Sequence, residues 1–226
     1  MSIASLIKLL RSAPVTWLSA LLTLLAFSSS VLTGLWEINL QTVGVFDAAR
    51  LLTCHFLHWS GEHLFWDLGM FVLLGVLCER WWPRAFYSVL AISAVAIPIG
   101  VMLSNPEMRL YRGLSGLDTA LYALLVSQLC MGALREKDPQ QAIVFIFLWL
   151  ALWGKIAWEF LSGQVLFVQQ LDFVPLPMAH AVGALVGSAV ALVSAWPTSP
   201  VHQTSGGCQG NPAGGWFRNR SDLKTF

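Results

Sequence analysis

Charge is what this chain has least of: 11% of its 226 residues are Asp, Glu, Lys or Arg, where soluble domains carry about 25%. A surface so poor in charge is not that of a water-soluble globule, and the mean hydropathy of +0.66 agrees. Cysteine is scarce as well. Cys54, Cys78, Cys130 and Cys208 fall on different sides of the apolar runs described next. Most pairings would have to cross a membrane, so no disulfide framework or metal cluster is implied. Glycine-rich nucleotide loops, internal repeats and basic nucleic-acid patches are also missing, which leaves no sequence basis for a nucleic-acid partner.

Long uncharged runs are what the chain has instead. A hydrocarbon core of roughly 30 Å needs about 20 apolar residues per helix, and six stretches qualify: Pro14 to Trp36, about His63 to Leu77, Ala85 to Leu103, Ser115 to Leu134, Ala142 to Leu161, and Pro177 to Trp196. The expected fold class is therefore an all-α membrane protein, a bundle of six transmembrane helices set in a lipid bilayer. Pro14, Pro83, Pro139, Pro177 and Pro197 stand at the proposed ends, where a missing N–H costs little. Pro98 stands inside the third run and predicts a kink.

Basic residues set the expected orientation. With the N-terminus in the cytoplasm, nine (Lys8, Arg11, Arg80, Arg84, Arg135, Lys137, Arg218, Arg220 and Lys224) are inside and four (Arg50, Arg109, Arg112 and Lys155) outside. That imbalance places both termini in the cytoplasm. Tryptophans agree: Trp36, Trp59 and Trp158 fall near outer boundaries, and Trp81, Trp82 and Trp196 near inner ones, as an interfacial belt requires. Residues 1–13 form a short cytoplasmic segment. The first uncharged run is too long for the 7–15-residue core of a signal peptide, and is expected to be a retained span. After Trp196 the composition turns to Ser, Gly, Pro, Asn and Gln. The expected organisation is thus a six-helix domain over 14–196 followed by a flexible cytoplasmic tail over 197–226.

Three polar segments open apolar runs on what this orientation makes the outer side. They are His58 through His63 to Asp67, Gly113-Leu114-Ser115-Gly116, and His180-x-x-Gly183-x-x-x-Gly187. At 1.5 Å per residue, Ser115 and His180 both lie within roughly 5–8 Å of the outer ends of their helices. A hydrogen bond between them is allowed. His63 and Asp67, four apart, share a helix face. Gly183 and Gly187 share a face with His180 and form a small-x-x-x-small surface that lets a neighbouring helix approach. Each feature alone has a plain reading, a helix cap for Ser115 or simple packing for the glycines. Their common depth is what makes them a candidate site.

With these residues in view, the chain resembles the rhomboid intramembrane serine proteases over nearly all of 14–196. More narrowly, Tyr111-Arg-Gly-Leu-Ser115-Gly, Lys155-Ile-Ala-Trp-Glu159 and Ala179-His180-Ala-Val-Gly183 look like the rhombosortase branch. The resemblance implies a Ser115–His180 dyad that needs no cofactor, with Ser115 Oγ as nucleophile and His180 as base and then acid. It also implies an oxyanion hole from the Ser115 backbone N–H and the side chains at His63 and Asp67. The substrates would be membrane-anchored proteins cut near the outer face, here of a bacterial inner membrane. In the rhombosortase branch they end in a Gly-Gly motif, an apolar span and a basic cluster.

Two positions depart from the family pattern. Asp67 stands where rhomboids have asparagine; it donates to an oxyanion only if protonated, and otherwise orients His63 as a charged acceptor. Thr119 stands where rhomboids often carry a ring that stacks on the histidine. Asp118, three residues after Ser115, is a candidate to orient His180 or to pair with Lys155. Lys155 and Glu159, one turn apart, are expected to form an ion pair, and in the rhombosortase reading to border a substrate entrance. His58 is expected to brace the outer loop, and His55 with His58 lacks the further ligands that a metal site needs. Other function classes are a proton-coupled transporter using Asp67, Asp118, Glu159 and His180 as a relay, and an inactive rhomboid-like protein that binds membrane clients.

The charge pattern predicts that cysteines introduced at Ser60, Asn105 and Gln170 react with an impermeant thiol reagent in intact cells. Labelling of a Lys137→Cys variant instead would reverse the orientation.

Overall fold

The computed structural model describes residues 11–163 and 176–195; the proposed tail and the segment that holds Gln170 lie outside them. Among the described residues the chain is almost wholly helical. Helix α1 (Pro14–Phe27) is followed by α2 (Ser30–Trp36), strand β1 (Ile38–Asn39) and the short α3 (Ala48–Thr53). The long helices are α4 (Gly61–Trp81), α5 (Pro83–Ser104), α6 (Ser115–Arg135), α7 (Pro139–Ser162) and α8 (Pro177–Ala195), with strand β2 (Leu110–Tyr111) before α6. Those five are long and apolar enough to cross a membrane, and α1 with α2 forms a bent sixth candidate. This is an integral membrane protein built as a helical bundle.

The uncharged run from Pro14 to Trp36 does not form one straight span. It bends by 112° between α1 and α2, because three consecutive serines offer the backbone other partners. Ser28 Oγ bonds back to Leu24 O at 2.7 Å, and Ser29, in an extended conformation, caps α2 by accepting from Leu32 N. The third expected span does form one helix, α5, which continues through Pro98.

Helix α6 is the axis of the bundle, with 56% of its apolar window buried against 11% for α7. Its closest neighbour is α8, and the contact is backbone on backbone. A Cβ added at Gly183 would run into Gly116 O, and one at Gly187 into Ala120 O. Gly116 in turn lies under the carbonyl of Ala179, which a Cβ would meet at 3.3 Å. A polar clip supports the seam, Gln128 Nε2 donating to Ser194 Oγ at 2.6 Å, and Trp149 Nε1 ties α7 to α8 by donating to Ser188 Oγ at 3.1 Å.

Helix α1 is pinned from the other side of the bundle. Glu79 on α4 accepts from Val15 N at 3.0 Å, Thr16 N at 2.9 Å and Thr16 Oγ1 at 2.7 Å. A carboxylate there satisfies donors that the first turn of a helix leaves unpaired. At the opposite end of α4, β1 pairs antiparallel with β2, Ile38 opposite Tyr111. This ties the loop after α2 to the segment that leads into Gly113 and α6.

If the α6–α8 approach depends on bare backbone, Gly187→Ala should cost roughly 1–3 kcal/mol of stability, the usual penalty of overpacking. Gly154→Ala on α7, where a Cβ meets nothing within 4 Å, should be near neutral. Unfolding in detergent micelles compares the two, and equal losses would contradict the packing argument.

Candidate active site

The starts of α6 and α8 bring Ser115 and His180 to the same end of the bundle. A Cβ on Gly116, next to Ser115, would meet the carbonyl of Ala179, next to His180, at 3.3 Å. His180 is buried and Ser115 half-buried, and among the described residues their side chains are not hydrogen-bonded to each other. Apo catalytic pairs are often this loose before substrate tightens them.

Helix α4 supplies the second wall. Ser60 caps it by accepting from His63 N at 3.2 Å, which fixes the first turn and with it the faces of His63 and Asp67. Asp67 Oδ2 accepts from the backbone N–H of Leu114 and of Ser115, each at 3.1 Å. The same oxygen lies 3.1 Å from His63 Nε2 and 3.4 Å from His58 Nε2. All four neighbours are nitrogens, so Asp67 is placed as an acceptor. Gly113 makes the approach possible: its φ of +120° lies in the region open to glycine, and a Cβ there would sit 3.0 Å from His63 Cε1 and 3.3 Å from Asp67 Oδ2.

Helix α7 supplies the third wall. Glu159, 1% exposed, accepts from Lys155 Nζ through Oε1 at 2.6 Å, and its Oε2 lies 2.7 Å from His180 Nδ1. The expected Lys155–Glu159 ion pair is present, and it has a third member that helix spacing alone does not reveal.

The stretch of chain that carries these residues is matched by a family model. The Rhomboid domain model covers residues 46–197, two-thirds of the chain. The chain belongs to the rhomboid family. Its class chemistry is serine proteolysis within the membrane, on membrane-protein substrates, and this sets the proton-relay transporter aside. Among curated proteins, none matches the chain significantly.

In this rhomboid the remaining expected site residues fall differently. Asp118 is buried on α6, but it meets neither His180 nor Lys155; its Oδ1 has no hydrogen-bond partner among the described residues. Of the two readings left open for Asp118, neither is met, and Glu159 instead lies beside His180, its Oε2 2.7 Å from Nδ1. Thr119, in place of a ring, turns back on its own helix and donates to Ser115 O at 2.8 Å.

His55, which the sequence reading did not single out, also braces the outer loop. His55 Nε2 is 3.1 Å from Ala94 O, and Nδ1 is 3.4 Å from Gly113 O. Burial pushes the His55 imidazole down to about 4, with the two carbonyls opposing, so the ring is neutral at ordinary pH and this contact does not titrate there. Tyr111 packs edge-on against it, ring centroids 5.4 Å apart. Burial first, then the nearby Cys54, Asp67 and Asp118, raises the Tyr111 phenol well above its ordinary value. Arg112 extends the loop's anchoring through an ion pair with Glu37 and a 4.3 Å stack on Trp59.

Because Asp67 is an acceptor for two buried N–H groups, Asp67→Leu should cost about 1–3 kcal/mol for each group left unpaired, whereas Asp67→Asn keeps an oxygen and should lose only about 1 kcal/mol per bond. Unfolding in micelles measures both. A Leu variant as stable as the Asn variant would contradict the acceptor geometry.

Proposed function

We propose that this rhomboid is an endopeptidase with a Ser115–His180 dyad, of the rhombosortase type. The observation that supports the reading is the approach of α8 to α6, where a Cβ at Gly116 would meet Ala179 O at 3.3 Å, beside Ser115 and His180 on the first turns of the two helices. Ser115 Oγ attacks the scissile carbonyl carbon, forming a C–O bond as its proton passes to His180 Nε2. The carbonyl electrons move onto the oxygen. When they return, the C–N bond breaks, and His180 gives the same proton to the leaving amine. Water repeats the sequence to release the acyl group.

The oxyanion needs donors, and the Ser115 N–H with His63 Nε2 supplies them. Both are turned towards Asp67 Oδ2 in the resting site. A substrate oxyanion therefore takes over hydrogen bonds that the Asp67 carboxylate holds beforehand, and Asp67 keeps His63 and the 113–115 turn in register until then. Each such donor is worth about 2.7–4 kcal/mol in comparable sites. Gly113 and Gly116 serve by leaving room, for His63 and for α8 respectively.

The catalytic domain is residues 14–196, with 1–13 and 197–226 as cytoplasmic flanks. By the basic-residue pattern the dyad faces the outer side of a bacterial inner membrane. Substrates are exported proteins held by a C-terminal tail of Gly-Gly motif, apolar span and basic cluster. Comparing cell-surface proteins with and without Ser115→Ala should show proteins with such tails left unprocessed in the variant.

In a reconstituted assay, Ser115→Ala or His180→Ala should abolish cleavage while the protein stays folded, and the double variant should be no worse because the two act as one unit. Retained cleavage by well-folded Ser115→Ala would end the serine-nucleophile reading.

A further inference from the structure

We infer that Glu159 is the positioning carboxylate of His180, so that this chain works as a Ser115–His180–Glu159 triad with Lys155 as the counter-ion that keeps the carboxylate ionised. The inference rests on the proposal that Ser115 and His180 are the dyad.

Helix α7 shows why Glu159 is unusual. Of its 24 residues only Ala142, Ile156 and Glu159 are buried, and Ile143, Val144, Phe147 and Leu150 point outward, as a lipid-facing helix should. A helix that buries so little has few positions with which to hold its place, and one of them is a carboxylate. Packing alone does not call for it, since apolar residues of similar volume serve a buried position as well or better than an ion pair. A charge inside a membrane span marks a functional site by default, and here its reach identifies the function.

The two oxygens of Glu159 are divided between two partners. Oε1 takes Lys155 Nζ at 2.6 Å, and Oε2 lies 2.7 Å from His180 Nδ1. An ionised carboxylate only accepts, so Nδ1 must carry a proton. Lys155 Nζ is also 3.5 Å from His180 Nδ1, and were it the donor there, Nδ1 would be bare and the proton would sit on Nε2. That arrangement would disable the base. The distances decide against it: 2.7 Å is a charge-assisted hydrogen bond, and 3.5 Å is at the outer edge of any. With Nδ1 protonated, Nε2 keeps its lone pair for the Ser115 proton. When that proton arrives, the imidazolium lies against the carboxylate and is stabilised. Lys155 matters before this step, because it prevents a buried carboxylate from standing unpaired beside a neutral ring. Glu159 touches neither substrate nor the reacting atoms, so its part is positional.

The test uses the full chain in detergent micelles and a small monofluorophosphonate, which forms an O–P bond to Ser115 as fluoride leaves and the hydroxyl proton passes to the base. Glu159→Gln should lower the labelling rate at Ser115 by roughly 10²–10⁴-fold, the scale seen when a triad acid becomes an amide. Adding Glu159→Gln to His180→Ala should lower it no further, because the carboxylate acts only through the imidazole. Wild-type labelling rates in Glu159→Gln, or a further independent loss in the double variant as expected of a substrate-entrance role, would overturn the triad. Absence of label on Ser115 in the wild type, or labelling as fast without His180, would overturn the protease proposal itself. A second measurement needs no change at Glu159: with ¹⁵N-labelled histidine, the His180 resonance, assigned by its loss in His180→Ala, should show Nδ1 protonated. An unprotonated Nδ1 would overturn the triad directly.

Discussion

The close approach of α6 to α8 is the constraint on which the site depends. Small residues at a crossing let two helix backbones come into contact, and this fixes how the starts of α6 and α8, which carry Ser115 and His180, sit against each other. Gly116, Gly183 and Gly187 remove side chains where the helices cross, and carbonyls of α6 lie where the Cβ atoms of α8 would be. Lipid offers no hydrophobic drive to bring helices together. The seam is held instead by this complementarity and by the clip from Gln128 to Ser194, while Trp149 to Ser188 ties α7 to the same helix α8.

Helices α4 and α7 contribute three buried carboxylates that the membrane interior would otherwise reject. Asp67 is acceptable because two backbone N–H groups and His63 surround one of its oxygens. Glu159 is acceptable because Lys155 and His180 share its two oxygens. Glu79, at the far end of α4, caps α1 in the same way. In each case a carboxylate is buried only where donors converge on it. Two of the three lie against residues of the proposed dyad, which is where buried charge has chemical use.

Much of this was legible in the sequence, and the misses have specific causes. Helices α4 to α8 follow the uncharged runs to within a few residues because hydrocarbon thickness leaves little choice of length. The first run misled: Ser28, Ser29 and Ser30 carry no charge and so pass for part of a span, while their hydroxyls turn the chain locally. In the site, the Lys155–Glu159 pair follows from one-turn spacing, but contact with His180 joins helices whose relative rotation no local pattern records. For the same reason the sequence left Asp118 with two candidate partners, His180 and Lys155, and it meets neither. The bracing role of His55 was missed because its partners are backbone carbonyls, Ala94 O and Gly113 O, which have no sequence signature. The acceptor role of Asp67 was one of two open readings, and the positions of the Leu114 and Ser115 N–H groups favour it.

The most direct measurement of the account is an experimental structure of the chain after inactivation by a small monofluorophosphonate. The account predicts phosphorus bonded to Ser115 Oγ, its free oxygen accepting from the Ser115 N–H where Asp67 Oδ2 rests beforehand, and His180 still held at Nδ1 by Glu159. An adduct on another residue, or one on Ser115 that leaves the Ser115 N–H still donating to Asp67, would contradict it.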